Sequence, residues 1–133
     1  PRFLQYDREY FEKAMSLFSK DSLFVITSDN IAFDRQNIPT DRGEVMFIEH
    51  EPMYIDFFLQ SLCKHNIISN STFSWWGAWL NRNPQKIVVR PRVWIGGGSH
   101  EDIGGPDEWI RVDARSMQER LNARPQKVRS WIP

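Results

Sequence analysis

Residues 65–81 constrain the fold more than any other stretch, because the period of the sequence changes inside them. Ile67 and Ile68 form a short β-branched run, which reads as a buried strand. From Phe73 the period is helical. Phe73, Trp76 and Leu80 fall at i, i+3 and i+7, with Trp75 and Trp79 an i, i+4 pair beside them. The spacing predicts a helix over residues 73–82, stopped by Pro84, with the stripe of Phe73, Trp76 and Leu80 turned to the core. On that reading Trp76 and Leu80 are buried, and at most one of Trp75 and Trp79 is exposed. Asn70, Ser71 and Thr72 stand at the junction, where side-chain oxygens accept from the free N–H groups of a first helical turn. The junction also suits a phosphate, since a helix N-terminus offers unpaired N–H donors and a positive dipole end, and such turns line the crevice of open α/β sheets. A Ser-Thr pair is an ordinary cap, but Asn70, Ser71, Thr72 and Ser74 together exceed what one cap requires.

The rest of the chain alternates helical and strand patterns. Asp7 is placed to cap a helix with the stripe Phe11, Ala14, Met15 and Phe18, ending near Ser19. Residues 23–27 are a continuous apolar run, the pattern of a strand buried on both faces. Ser28, Asp29 and Asn30 follow, placed to cap a short helix through Ile31 and Phe33. After the turn-rich residues 39–43, residues 45–48 read as the next strand. Pro52 opens a helix whose stripe is Ile55, Phe58, Leu59 and Leu62, with Asp56 on its flank as a solvated acid. Residues 87–89 give a fourth β-rich run, closed by Pro91. Strands near 23–27, 45–48, 65–69 and 86–90, separated by helical patterns, predict an α/β fold: a Rossmann-like parallel sheet with right-handed crossovers and helices on both faces. The five glycines of residues 96–105 lack the G-x-G-x-x-G spacing and read as a mobile loop. Residues 109–112 suit an edge strand, and Asp113 a cap for a last helix through Met117 and Leu121. Residues 126–133 carry no assignment.

The 133 residues suit one domain with one core. Seventeen basic against seventeen acidic residues remove the electrostatic case for a nucleic-acid partner and favour a small one. Cys63 is the lone cysteine, which excludes an intrachain disulfide and fits an intracellular chain. No apolar run has the length of a membrane span. His65 and His100 are too far apart and too poorly accompanied to suggest a metal site. Asn70, Ser71 and Thr72 satisfy the glycosylation pattern, but a strand-to-helix turn is a poor acceptor.

Residues 65–81 resemble, nearly residue for residue, the signature of the bacterial α-1,2-fucosyltransferases of glycosyltransferase family 11, close to His-Asn-Ile-Ile-Ala-Asn-Ser-Thr-Phe-Ser-Trp-Trp-Gly-Ala-Trp-Leu. The resemblance runs from Tyr10, Phe11, Glu12, Lys13 and Ala14, similar to the family's Tyr-Tyr-x-x-Ala helix, to about Ile110. Ser28 and Asp29 match the first two positions of a Ser-Asp-Asp element, and Asn30 departs from the third. The resemblance implies the nucleotide-binding half of a two-domain GT-B enzyme, with the acceptor-binding half and a His-x-Arg-Arg-Gly-Asp element expected ahead of Pro1, and the catalytic residues with them. It implies GDP-fucose as donor, a galactose-containing glycan as acceptor, inverting transfer and no metal or other cofactor. Site residues implied are Ser71, Thr72 and Ser74 for the diphosphate, flanked by Asn70 and Phe73, Asp56 for guanine, and Ser28 and Asp29 at the crevice edge. A carboxylate can accept from both N1–H and the exocyclic amine of guanine, which adenine does not offer. The expected location is cytoplasmic, with peripheral association of the full-length enzyme with the inner membrane left open. Two other readings of the residues stand beside this one: a non-catalytic nucleotide- or carbohydrate-binding module using Trp75, Trp76 and Trp79 as a stacking platform, and a structural α/β domain with an ordinary capped helix.

Overall fold

The computed structural model describes residues 2–96 and 105–123. In chain order the elements are β1 (Arg2–Phe3), α1 (Arg8–Met15), β2 (Leu23–Ile26), α2 (Ile31–Asn37), β3 (Glu44–Phe47), α3 (Met53–Leu62), β4 (Asn66–Ile67), α4 (Thr72–Leu80), β5 (Val88–Pro91), β6 (Ile95–Gly96), β7 (Ile110–Val112) and α5 (Met117–Ala123). Helices and parallel strands alternate as the apolar runs predict, giving an α/β, Rossmann-like architecture. Among the described residues the strands do not join into one continuous sheet. β2 pairs with β3 in parallel, and β4, β5 and β7 make a separate parallel ladder with β5 in the centre and β7 at an edge. A two-residue antiparallel pair joins β1 to β6. Apolar runs report which segments hide side chains; they do not report whether two backbones come within ladder distance.

The two faces of β4 and β5 carry different cores. Val89 and Val112 face Tyr6, Tyr10 and Ala14, with Ile67 packed against them, whereas Ile68 and Val88 face Ala78, Trp94 and Trp109. This alternation is the period-two consequence of the strands being covered on both sides. In α1 the side chain of Asp7 caps Glu9 N–H, as expected. The helix ends at Met15, and its buried residues are Tyr10, Ala14 and Met15, while Phe11 and Phe18 only pack against the core. Tyr10 takes the deepest place because its hydroxyl can donate to Ile68 O and Val89 O, so that no polar atom is left unpaired.

Three burial expectations fail together. Leu23 is 49% exposed, so β2 is not hidden on both faces. No residue of α3 is buried, with Phe58 58% and Leu62 79% exposed. In α4 the expected core residues Trp76 and Leu80 are half exposed, and so is Trp79, while the buried residues are Gly77 and Ala78. The inward face of α4 is therefore its small face. A Cβ built on Gly77 would lie 2.9 Å from Gln60 Cβ, so α3 comes closest to α4 where α4 has no side chain. Bulky indoles have no room there. The loop at residues 97–104, His100 and the tail 126–133 lie outside the described residues. The last helix is capped by Ser116, not Asp113: Ser116 Oγ accepts from Glu119 N–H, and the Glu119 carboxylate accepts from Ser116 N–H, which is a capping box.

Replacing Gly77 by Ala tests the helix contact. The gain in helix propensity is outweighed by the clash with Gln60, and the expected net loss is about 1–2 kcal/mol in urea unfolding. A more stable Gly77→Ala protein would mean that α3 and α4 do not meet there.

Candidate active site

The candidate site is built at the carboxyl ends of β2 and β4. Beyond β4, Ser71 N–H donates to Ser69 O, and the chain turns into α4 with Ser71 as N-cap. Ser71 Oγ accepts from Ser74 N–H at 3.5 Å, a long contact that leaves the first turn weakly satisfied. α4 begins at Thr72, one residue earlier than the period predicts, because the cap and not the first apolar residue sets the start. Asn70 does not face the turn alone: its side-chain amide donates to Trp94 O, holding the end of β4 to the segment after β5. Thr72 is exposed, and with Phe57, Phe73, Trp76 and Leu80 it lines an open groove of about 470 Å³. Phe73 meets Phe57 edge-on, with ring centroids 5.4 Å apart.

At the end of β2, Ser28 Oγ accepts from Asn30 N–H, and Asn30 caps α2 by accepting from Phe33 N–H. The capping reading of Asn30 is thus realised, and an amide suffices for it. Asp29 is exposed. The sequence reading passed over Asp34, which is buried on α2 and hydrogen-bonded to the Ser28 side chain. Burial pushes its carboxyl above the ordinary range, and the nearby Asp29 adds to this while Ser28 opposes it. Its only sequence signal is the i+4 spacing from the Asn30 cap, which places it over the first turn. Arg90, also passed over, is fully buried in β5, and its Nη1 donates to Pro91 O and Arg92 O.

Asp56 stands in the first turn of α3, but it is Phe57 that touches α4. Asp56 Oδ1 is shut from solvent and has no hydrogen-bond partner among the described residues. Desolvation, then Glu51, raises its carboxyl above the ordinary range. Among the described residues no hydrogen bond or ion pair joins Ser28 and Asp29 to the turn at residues 70–74, and none joins Asp56 to either. The tryptophans do not form one flat surface: Trp75 stacks on Trp79 at 11° but meets Trp76 at 77°. No group of three or more His, Cys, Asp or Glu among the described residues could hold a metal ion. No described helix is long and apolar enough to cross a membrane.

A parallel α/β unit with a hydroxyl-rich, capped helix start at the carboxyl end of a strand is the arrangement of a Rossmann-like glycosyltransferase. The profile of Glycosyl transferase family 11 matches residues 3–96, and the chain belongs to that family. It is 37% identical over 109 residues to the O-antigen biosynthesis glycosyltransferase WbnK of Escherichia coli, covering 78% of this chain and 36% of that protein. It is 33% identical over 98 residues to an alpha-1,2-colitosyltransferase of Escherichia coli, covering 68% of this chain and 33% of that protein. Similarity to galactoside alpha-(1,2)-fucosyltransferase 2 of Rattus norvegicus is 41% over 81 residues, 56% of this chain and 23% of that one. The chain thus spans about a third or less of the length of these relatives. No solved structure matches it.

The raised carboxyl of Asp34 gives a pH test. A group whose folded value lies above its unfolded one contributes its full stability below the unfolded value, and that contribution is lost as pH rises through the folded value. Asp34→Asn, which keeps an acceptor for Ser28, is expected to raise the melting temperature near neutral pH and to change it little at about pH 3. Equal shifts at both pH values would place the Asp34 carboxyl in an ordinary environment.

Proposed function

We propose that this chain is the donor-binding part of a GDP-fucose-dependent α-1,2-fucosyltransferase with a GT-B architecture. What carries the reading is the family match across residues 3–96, which contain the β4–α4 turn and its hydroxyl cluster. The donor diphosphate lies at that turn, accepting from the N–H groups at the start of α4 and from the hydroxyls of Ser71, Thr72 and Ser74. Asn70, tied to Trp94 O, holds the turn in place, and Phe73 packs against Phe57 of α3. Asp56 takes the guanine edge, since a carboxylate can accept from both N1–H and the exocyclic amine. Ser28 and Asp29 border the crevice at the end of β2.

The reaction is a single inverting displacement on a galactose-containing glycan. A glycan hydroxyl oxygen bonds to the anomeric carbon, the bond from that carbon to the diphosphate oxygen breaks, and its electron pair leaves with GDP. The hydroxyl proton goes to a base outside this chain. Charge grows on the departing diphosphate, so the remainder of the enzyme supplies the cations that balance it and the surface that holds the acceptor in line. No metal enters this scheme, and the working site is cytoplasmic.

Nucleotide titration tests the assignment. The chain is expected to bind GDP in the micromolar to millimolar range, as a few polar contacts allow, and to prefer it to ADP. Asp56→Asn should weaken GDP by roughly 1–3 kcal/mol with little change in folding. Equal affinity of the unmutated chain for GDP and ADP would remove Asp56 from guanine recognition.

Transfer itself should be absent from the 133 residues alone with lactose as acceptor. It should appear in the longer enzyme, where Ser71→Ala with Thr72→Ala lowers both GDP binding and rate. Robust transfer by the chain alone would show that the catalytic groups lie within it.

A further inference from the structure

We propose that Tyr10 is a positioning residue of the donor site: its hydroxyl stands in for a ladder amide that Pro91 lacks, and so fixes the exit of β4 from which the hydroxyl-rich turn hangs. The register of the ladder shows the vacancy it fills. Asn66 N–H donates to Ile87 O at 3.0 Å and Ile68 N–H to Val89 O at 2.9 Å. In a parallel ladder the carbonyl of a residue accepts from the amide two places beyond the carbonyl to which its own N–H donates. For Ile68 O that amide belongs to residue 91, which is proline and has no N–H. The next amide, Arg92 N–H, is turned the other way and donates to Val112 O.

Tyr10 reaches this carbonyl from α1. Its hydroxyl donates to Ile68 O at 2.5 Å, with a longer approach of 3.4 Å to Val89 O. Val89 O already accepts from Ile68 N–H, so the short bond to Ile68 O is the one the ladder is missing. The ring is fully buried, and desolvation, then Tyr6, pushes the titration of the hydroxyl well above its ordinary range, so it keeps the proton it donates. A buried carbonyl without a partner costs more than an ordinary hydrogen bond gains, which makes this one bond matter to the end of the strand.

What hangs from Ile68 is the candidate site. Ser69 O accepts from Ser71 N–H at 2.8 Å, and Ser71 caps α4. Two further bonds hold the neighbouring exit of β5, where Tyr6 Oη donates to Val93 O at 2.7 Å and Asn70 Nδ2 to Trp94 O at 3.2 Å. Tyr10 thus pins the exit of β4, Tyr6 that of β5, and Asn70 ties the two together. Without the Tyr10 hydroxyl the turn keeps only its tie through Asn70. The first N–H groups of α4 must converge on one place to hold a diphosphate, so a loosened turn loses anion binding before it loses its fold. The effect on binding rests on the diphosphate lying at this turn; the anchor itself does not.

Tyr10→Phe keeps the ring and removes the donor. Val112→Ala, in the same core, lowers stability while leaving the hydroxyl in place, and serves as the comparison. The amides of Ser71 and Trp75, which donate to Ser69 O and Ser71 O, report the turn. Measured at equal distances below the two melting temperatures, they should exchange about tenfold faster in Tyr10→Phe, and GDP should bind about fivefold more weakly, whereas Val112→Ala changes both by less than about twofold. Adding Pro91→Ala to Tyr10→Phe supplies a backbone N–H at residue 91 and should restore both, which a role in packing alone would not do. If Tyr10→Phe does not fold, recovery of folding on adding Pro91→Ala is the supporting result. Exchange at Ser71 and Trp75 that matches Val112→Ala, or a double variant no better than Tyr10→Phe, would overturn the proposal. Faster exchange with no GDP binding by the unmutated chain would keep the anchor and overturn the donor assignment.

Discussion

The structure depends on a buried amide pair at the far end of α4. Asn81 Nδ2 donates to Asn66 Oδ1 at 2.8 Å and to Cys63 O at 2.7 Å, and Asn66 Nδ2 donates to Gln60 O. One pair of side chains thereby joins the end of α3, the start of β4 and the end of α4. Each group would cost about 1–3 kcal/mol if left buried and unpaired, so the pair fixes a single arrangement more firmly than apolar packing of the same area. Lys86 completes the end by donating from Nζ to the carbonyls of Ala78, Trp79 and Asn81, where the negative end of the helix dipole favours a cation. With its C-terminus held in this way, α4 has its N-terminus aimed past the end of β4. The hydroxyl cluster inherits its position from that geometry.

Large apolar side chains gather on the outer faces of two neighbouring helices. Tyr54, Phe58 and Leu62 on α3 and Trp76, Trp79 and Leu80 on α4 all stand exposed. Large exposed apolar patches mark surfaces meant to be covered. The open ladder edges of β2 and β4 belong to the same picture, since unpaired strand edges are a liability that folded proteins cover or blunt. α1, α4, β5 and β7 enclose two cores, one on each face of the three-stranded ladder.

Residues themselves determined the elements and their ends. Asp7, Asn30 and Ser71 cap where short polar side chains precede an apolar period, and β-branched runs give the parallel strands, because these are local effects of backbone hydrogen bonding and side-chain shape. The signature at residues 65–81 was legible for the same reason, being contiguous. Tertiary structure alone decided which side of each helix is inside. Periodicity finds an apolar stripe, but Gly77 is turned to α3 and Ala78 to the core beside Ile68 and Val88, while Trp76 and Trp79 stand exposed. It also decided that Asp34 is buried against Ser28 and that two ladders stand apart, since both depend on distances between segments far apart in the chain, and a sequence pattern carries no such distances.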